Sequence, residues 1–294
     1  MKLQGIYPAL ATCFDDDGNV YKGKIVHNIR KLNEIALSGY LVCGSTGEAP
    51  LMNAQERTEV LECVRQVSAD GKILIAGIGA ESVRESVRMA NHAADIGYQV
   101  GLALSPHYYQ NQMHRPEVQL LYYRALADQS RIPVLIYNMP AVTGYDLPVE
   151  MLAELSHHPN IVGMKDSSGN IEKMKATLKA VRPGFQVLSG SGITFGHALE
   201  LGAAGAILAI ANAVPYACVT VWEALRTRQE EAARDWQSRL LPGAKIVPAK
   251  YGIAGLKHAM DLKGYYGGRP RLPLMPPSPD IRMEIEQAFD GIYS

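Results

Sequence analysis

Lys165 closes the apolar run Asn160-Ile161-Val162-Gly163-Met164 and opens the polar turn Asp166-Ser167-Ser168-Gly169-Asn170. Read as a strand, the run points Ile161, Gly163 and Lys165 one way and Val162 and Met164 the other. A lysine on the face of Ile161 and Gly163 points into crowded, apolar space. An ammonium is costly to bury, and an amine relieved of its proton can attack a ketone and form a Schiff base. The competing reading is a lysine at a strand end that snorkels to solvent.

Other apolar runs also stop on small or polar residues. Residues 39–43 open into Gly44-Ser45-Thr46-Gly47-Glu48, which offers two hydroxyls and flexible backbone N–H donors ahead of a helix. That suits an anion, most simply a carboxylate, although an ordinary strand–helix turn has the same composition. It is not a phosphate-binding P-loop, because the Gly-Lys-Ser/Thr ending is absent. Tyr137 alternates in phase with Leu135, so its phenol can face the same interior as Lys165 and move protons there; a core tyrosine with a satisfied hydroxyl is the plainer reading. Tyr108 stands beside Tyr109 after Ser105-Pro106-His107, a paired-aromatic loop of the kind that packs or forms a subunit contact. A further run ends in Ser189-Gly190-Ser191-Gly192.

The elements that must position these residues alternate regularly. Short apolar runs end near residues 12, 43, 77, 104, 138, 165, 190 and 210, each followed by a helical pattern, the last ending near Arg228. Eight strand–helix units at this length predict a (β/α)₈ barrel of the α/β class over residues 1–228, with the reactive groups at the C-terminal strand ends. A doubly wound open sheet is the alternative. Beyond residue 229 only helical patterns occur, at 232–241, 253–262 and 281–289, with a proline-rich run between the last two. They predict a C-terminal helical region over 229–294.

The 294 residues carry 29 basic and 29 acidic side chains. A net charge of zero gives no footprint for nucleic acid or a polybasic membrane patch. No apolar run reaches bilayer length. Cys13, Cys43, Cys63 and Cys218 are scattered, which suits reduced thiols in the cytoplasm. Gly77-Ile78-Gly79-Ala80-Glu81 lacks the third glycine of a dinucleotide fingerprint. Asp15-Asp16-Asp17-Gly18-Asn19 misplaces the glycine and glutamate of a calcium loop. His157 and His158 are adjacent, so their rings diverge, and the absence of H-x-x-x-H spacing leaves a zinc-dependent aldolase unsupported.

Taken in order, Gly44-Ser45-Thr46-Gly47-Glu48, Ser105-Pro106-His107-Tyr108-Tyr109, Tyr137-Asn138-Met139-Pro140, Gly163-Met164-Lys165-Asp166 and Ser189-Gly190 form a specific set. Over nearly its whole length the chain resembles the dihydrodipicolinate synthase / N-acetylneuraminate lyase family of pyruvate-dependent class I aldolases. The resemblance implies a (β/α)₈ barrel with a C-terminal helical region, a homotetramer built as a dimer of dimers, and no metal or organic cofactor. It implies that Lys165 forms the imine with a 2-oxo acid and that Tyr137 shuttles protons with the Ser45 hydroxyl as relay. Thr46 and the adjacent backbone would hold the pyruvate carboxylate. Tyr108 would reach a neighbouring site across a dimer interface, and Gly190 and Ile207 would contribute backbone carbonyls.

Synthases of this family carry an arginine after the tyrosine motif, and that position is Val142 here. The positions of their regulatory lysine pocket fall on Ala54, Arg57 and Glu81. These departures, with the segments 41–48, 158–167, 251–257 and 264–268, make the chain most similar to 4-hydroxy-2-oxoglutarate aldolases. The implied reaction is cleavage to pyruvate and glyoxylate; a dihydrodipicolinate synthase or a 2-keto-3-deoxy-sugar-acid aldolase is the alternative. A silent binder of 2-oxo acids is the non-enzymatic one. Asn138 departs from the serine expected after the tyrosine in such an aldolase.

Overall fold

The structure is a computed structural model and describes residues 2–292. Short apolar strands alternate with helices from the N-terminus: β1 (Gly5–Pro8), α1 (Lys22–Asn33), β2 (Gly39–Val42), α2 (Ala54–Val67), β3 (Ile73–Gly77), α3 (Val83–Ile96), β4 (Val100–Leu104), α4 (Gln110–Met113), α5 (Pro116–Gln129) and β5 (Val134–Asn138). There follow α6 (Pro140–Thr143), α7 (Val149–Ser156), β6 (Ile161–Asp166), α8 (Ile171–Ala180), β7 (Gln186–Ser189), α9 (Phe195–Glu200), β8 (Gly205–Leu208) and α10 (Pro215–Arg226). The chain ends with α11 (Glu230–Ile246), α12 (Gly252–Leu262) and α13 (Pro279–Phe289).

Local chemistry accounts for these elements. Every residue of β5 is buried, as a strand covered on both faces requires. In α1 the buried Ile25, Ile29 and Leu32 recur at helical spacing. Asn53 caps α2 through a capping box, accepting from the Glu56 N–H while the Glu56 carboxylate accepts from its own.

The strands lie in the order β1-β8-β7-β6-β5-β4-β3-β2. β1 also reaches β2: Ala9 bridges Leu41 in parallel and the Leu10 N–H donates to the Leu41 carbonyl at 2.9 Å. The Ala9 N–H donates to the Leu208 carbonyl on the other side at 3.0 Å. The order therefore returns to its start, and the fold is a (β/α)₈ barrel with C-terminal helices.

The chain forms two compact units. One comprises Ile73–Ala206 with the N-terminal residues up to Gln4; the other comprises Gly5–Lys72 and the chain from Ile207 onward. In the first, β5 and β6 pair in parallel with a register shift between Val134 and Leu135, which face Ile161 and Gly163. The extra residue of β6, Val162, is a bulge, so strict alternation does not run from Ile161 to Lys165 as the sequence suggests. A side chain at Gly163 would stand 2.1 Å from the Gln186 carbonyl oxygen, which fixes glycine there. In the second unit, Asn212 ties the 3₁₀ turn after β8 to β1, accepting from the Ala11 N–H at 3.1 Å and donating to the Ala9 carbonyl at 2.7 Å.

Two differences from the sequence reading stand out. The helix expected to stop at residue 241 runs through Pro242 to Ile246. Its last turn is held by packing: Gly243 and Ala244 are buried, and a Cβ at Gly243 would lie 3.1 Å from the Phe289 ring. The short α4 and α6 carry too few residues for a periodic signal. No helix among the described residues is long and apolar enough to cross a membrane, and all four cysteines are buried and free.

Candidate active site

Register decides which side chains meet. Tyr137 on β5 is paired with Lys165 on β6, and Asn138 with Asp166. Paired residues of parallel strands point the same way, so Tyr137 and Lys165 share one face and Asn138 and Asp166 the other. Lys165 is buried at 4% exposure, and its Nζ lies 4.1 Å from the Tyr137 ring centroid. Among the described residues no carboxylate lies within ion-pair distance of that nitrogen. The amine faces an aromatic ring and is uncommitted to a counter-ion, an environment in which it can add to a carbonyl.

The Tyr137 hydroxyl donates to Met139 Sδ at 2.7 Å. A thioether is a weak acceptor, so the phenol proton is held loosely. Gly190 completes this cluster. A Cβ there would stand 2.9 Å from Lys165 Cε and 2.0 Å from Ser167 Oγ, so only glycine lets the end of β7 approach the lysine stem. The Gly190 N–H donates to the Asp166 carbonyl at 2.7 Å.

Behind the lysine lies a polar latch that sequence reading missed. Asn138 is fully buried; its amide nitrogen donates to Asp166 Oδ1 at 2.7 Å and Asp146 Oδ1 at 2.8 Å, and its oxygen accepts from the Leu147 N–H at 3.0 Å. Asp166 also accepts from the Ser168 N–H and hydroxyl, and Lys173 on α8 pairs with Asp146. One amide thus spends both donors and an acceptor in tying the ends of β5 and β6 to the 144–147 loop. The available signal was Asn138 directly after Tyr137 and Asp166 directly after Lys165, at matched strand positions.

Tyr108 is elsewhere. Its ring is 75% exposed and stacks edge-on with Tyr109 at 5.1 Å, with no contact to Tyr137 or Lys165 among the described residues. Glu81 anchors the loop by accepting from the His107 and Tyr108 N–H groups, both at 2.9 Å. Val142, on α6, is 47% exposed.

Ser45, Thr46 and Ile207 belong to the other unit. Ile207 is buried within β8. After β2 the backbone turns sharply: Cys43 and Glu48 both have φ near 56°, a left-handed conformation rare for such residues. The Gly47 N–H returns to the Gly44 carbonyl at 3.0 Å and the Glu48 N–H to the Ser45 carbonyl at 3.1 Å. Thr12 Oγ1 donates to the Gly47 carbonyl at 2.6 Å, and a Cβ at Gly47 would stand 2.9 Å from the Leu10 carbonyl oxygen. Among the described residues neither the N–H nor the hydroxyl of Ser45 or Thr46 donates to any group. Two adjacent backbone donors and two hydroxyls are thus left unspent on a tightly wound turn, the kinds of group that an anion site uses.

Comparison with known proteins settles the family. The model described as "Dihydrodipicolinate synthetase family" matches residues 2–291. The chain belongs to that family. Among curated relatives of the dihydrodipicolinate synthetase family, a 4-hydroxy-tetrahydrodipicolinate synthase from Methanothrix thermoacetophila is 31% identical over 290 residues, covering 98% of this chain and 96% of the relative. A protein named "Probable 4-hydroxy-2-oxoglutarate aldolase, mitochondrial" from Emericella nidulans is 33% identical over 292 residues, covering 98% of this chain and 94% of that one. The fold is matched by a dihydrodipicolinate synthase from Bacillus anthracis at a TM-score of 0.94 and 23% identity, over 100% of both chains. A chloride-inhibited dihydrodipicolinate synthase from Acinetobacter baumannii, solved with pyruvate, matches at a TM-score of 0.93 and 29% identity, over 98% of this chain and 99% of that one. As a member of the dihydrodipicolinate synthetase family the chain is an enzyme, a pyruvate-dependent class I aldolase.

Proposed function

We propose that the protein cleaves 4-hydroxy-2-oxoglutarate to pyruvate and glyoxylate through an imine on Lys165. The observation that carries the imine is the buried Lys165 amine, uncommitted to a carboxylate and set 4.1 Å from the Tyr137 ring. Lys165 adds to the C2 ketone to give a carbinolamine. Tyr137 moves protons until water leaves. The protonated imine then draws the electron pair of the C3–C4 bond as that bond breaks. Tyr137 takes the proton of the C4 hydroxyl as C4 leaves, with that oxygen, as the aldehyde of glyoxylate. The enamine takes a proton at C3, and hydrolysis of the imine releases pyruvate and restores the amine. No metal or organic cofactor enters this sequence.

The turn at Ser45 and Thr46 is the proposed cradle for the C1 carboxylate, supported by its unspent N–H groups and hydroxyls. The carbonyls of Gly190 and Ile207 are proposed as acceptors around the reacting atoms, Gly190 on the strength of its approach to the lysine stem. Tyr108 is proposed to serve a neighbouring protomer of a homotetramer, a role its 75% exposure supports.

The substrate assignment rests on Val142, an exposed aliphatic residue where synthases carry a carboxylate-binding arginine. The competing reading, condensation of pyruvate with aspartate semialdehyde, is favoured by the synthase name of the relative from Methanothrix thermoacetophila. Initial rates with 4-hydroxy-2-oxoglutarate, with aspartate semialdehyde plus pyruvate, and with 2-keto-3-deoxy-sugar acids separate them. The proposal expects the highest kcat/KM with 4-hydroxy-2-oxoglutarate; a higher value for the condensation refutes the argument from Val142.

A further inference from the structure

The turn proposed to hold the substrate carboxylate is shaped from outside by a charged cluster that takes no part in the chemistry. Glu48 ends the turn in its left-handed conformation, with its side chain buried. Its Oε1 pairs with Lys257 Nζ of α12 at 2.6 Å, and both side chains are fully sealed from solvent. Its Oε2 accepts from the Arg271 N–H at 2.8 Å. Lys257 also donates to the Arg269 carbonyl at 3.0 Å and sits over the Phe14 ring at 4.6 Å. Arg271 covers the same ring at 4.3 Å, donates to the Leu51 carbonyl at 2.8 Å, and grips the Glu56 carboxylate with both terminal nitrogens at 2.6 and 2.9 Å. A Cβ at Gly267 would fall 1.9 Å from the Lys257 carbonyl oxygen, so the 264–271 segment lies directly against α12.

These contacts fix the far end of the turn. Thr12 and the Gly47 carbonyl fix its middle, and Arg57 fixes its exit by donating to the Ala49 carbonyl at 3.0 and 2.6 Å. None of them uses the donors of Ser45 or Thr46. Burial lowers the Lys257 pKa, with Glu48 working against the shift, so the pair is kept against a desolvation cost that apolar packing would avoid.

We infer that Glu48 and Lys257 are positioning residues that set the aim of the Ser45–Thr46 donors, and so the enzyme's affinity for the carboxylate of its 2-oxo acid. This rests on the reading in which that turn binds the carboxylate. The pair acts through the backbone: without Lys257, the Glu48 carboxylate is left buried with one N–H partner, and the turn moves to recover solvent or a proton.

The test is borohydride trapping of pyruvate on the full-length protein, read as the pyruvate concentration giving half-maximal modification of Lys165. Lys257→Met keeps the length and removes the charge. It is expected to raise that concentration about tenfold or more while Lys165 still reaches complete modification at saturation. The half-saturating concentration of the aldehyde partner is expected to stay within about twofold. Glu48→Gln, which keeps the shape and an acceptor for Arg271, is expected to raise the pyruvate value roughly threefold; it decides the matter alone if Lys257→Met does not fold. Unchanged pyruvate half-saturation in a folded variant overturns the inference, as does an equal rise for both substrates. Absence of any Lys165 adduct in the unsubstituted protein overturns the function itself, and this inference with it.

Discussion

Asn138 fastens the end of the lysine strand with one neutral amide shared between two aspartates, and its partner Asp166 lies only 28 residues away. Glu48 fastens the turn after β2 with a full charge, and its partner Arg271 lies 223 residues away. The first latch is a by-product of the sheet: once β5 and β6 pair in register, Asn138 and Asp166 must meet. The second exists only when the C-terminal segment has docked. The group proposed to react is thus held by local structure, and the group proposed to bind by a distant part of the chain. On the proposed reading, the strand carrying Lys165 can vary little without losing chemistry, whereas the turn proposed to bind can be retuned from the C-terminal segment.

The largest effect is expected on the lysine strand's neighbour. Tyr137→Phe removes the hydroxyl that donates to Met139 Sδ and keeps the ring beside Lys165. Steady-state rates should fall about 10²–10⁴-fold, with the melting temperature nearly unchanged. A loss of stability in place of activity would make Tyr137 a packing residue and erase the chemical half of the contrast.

Asn138→Ala comes next. It leaves Asp146 and Asp166 short of a buried donor, and urea unfolding should show a loss of about 2–3 kcal/mol. A loss well below 1 kcal/mol would mean that the aspartates and Lys173 hold the strand ends alone.

The smallest effect belongs to the outer edge of the binding turn. The Arg271 guanidinium, with help from the Asn53 N–H, holds the Glu56 carboxyl below its ordinary value of 4.5. Its contribution is complete above that pH and is lost as acid protonates the folded protein. Glu56→Gln should therefore cost about 1 kcal/mol or less at neutral pH and flatten the fall in stability below pH 4.5. An unchanged acid limb would mean that Arg271 is held by the Gly18 and Leu51 carbonyls, which it also contacts.

What could be read from the sequence follows the same division. Tyr137 and Lys165 were legible because each stands where an apolar strand gives way to polar residues, and alternation holds over the last positions, from Leu135 to Tyr137 and from Gly163 to Lys165. The eight strand–helix repeats gave the barrel for the same reason. The bulge at Val162 was not legible, since a register shift depends on the partner strand. Nor was the Glu48–Lys257 pair, because nothing near either residue encodes a partner so far along the chain. Pro242 misled for a local reason: proline disfavours a helix interior, yet here packing against Phe289 carries α11 past it. The Ser45–Thr46 turn was visible as a motif, but that its donors stay unspent depends on the wound backbone and on the distant partners of Gly47 and Glu48.

The central claim is that Lys165 is the nucleophile. Treatment with pyruvate and borohydride, followed by peptide mass analysis, tests it directly. Reductive attachment of the three-carbon acid at Lys165, and its disappearance in Lys165→Met together with all turnover, is the result the structure predicts. Turnover without an adduct at Lys165, or an adduct on any other lysine that persists in Lys165→Met, would contradict it.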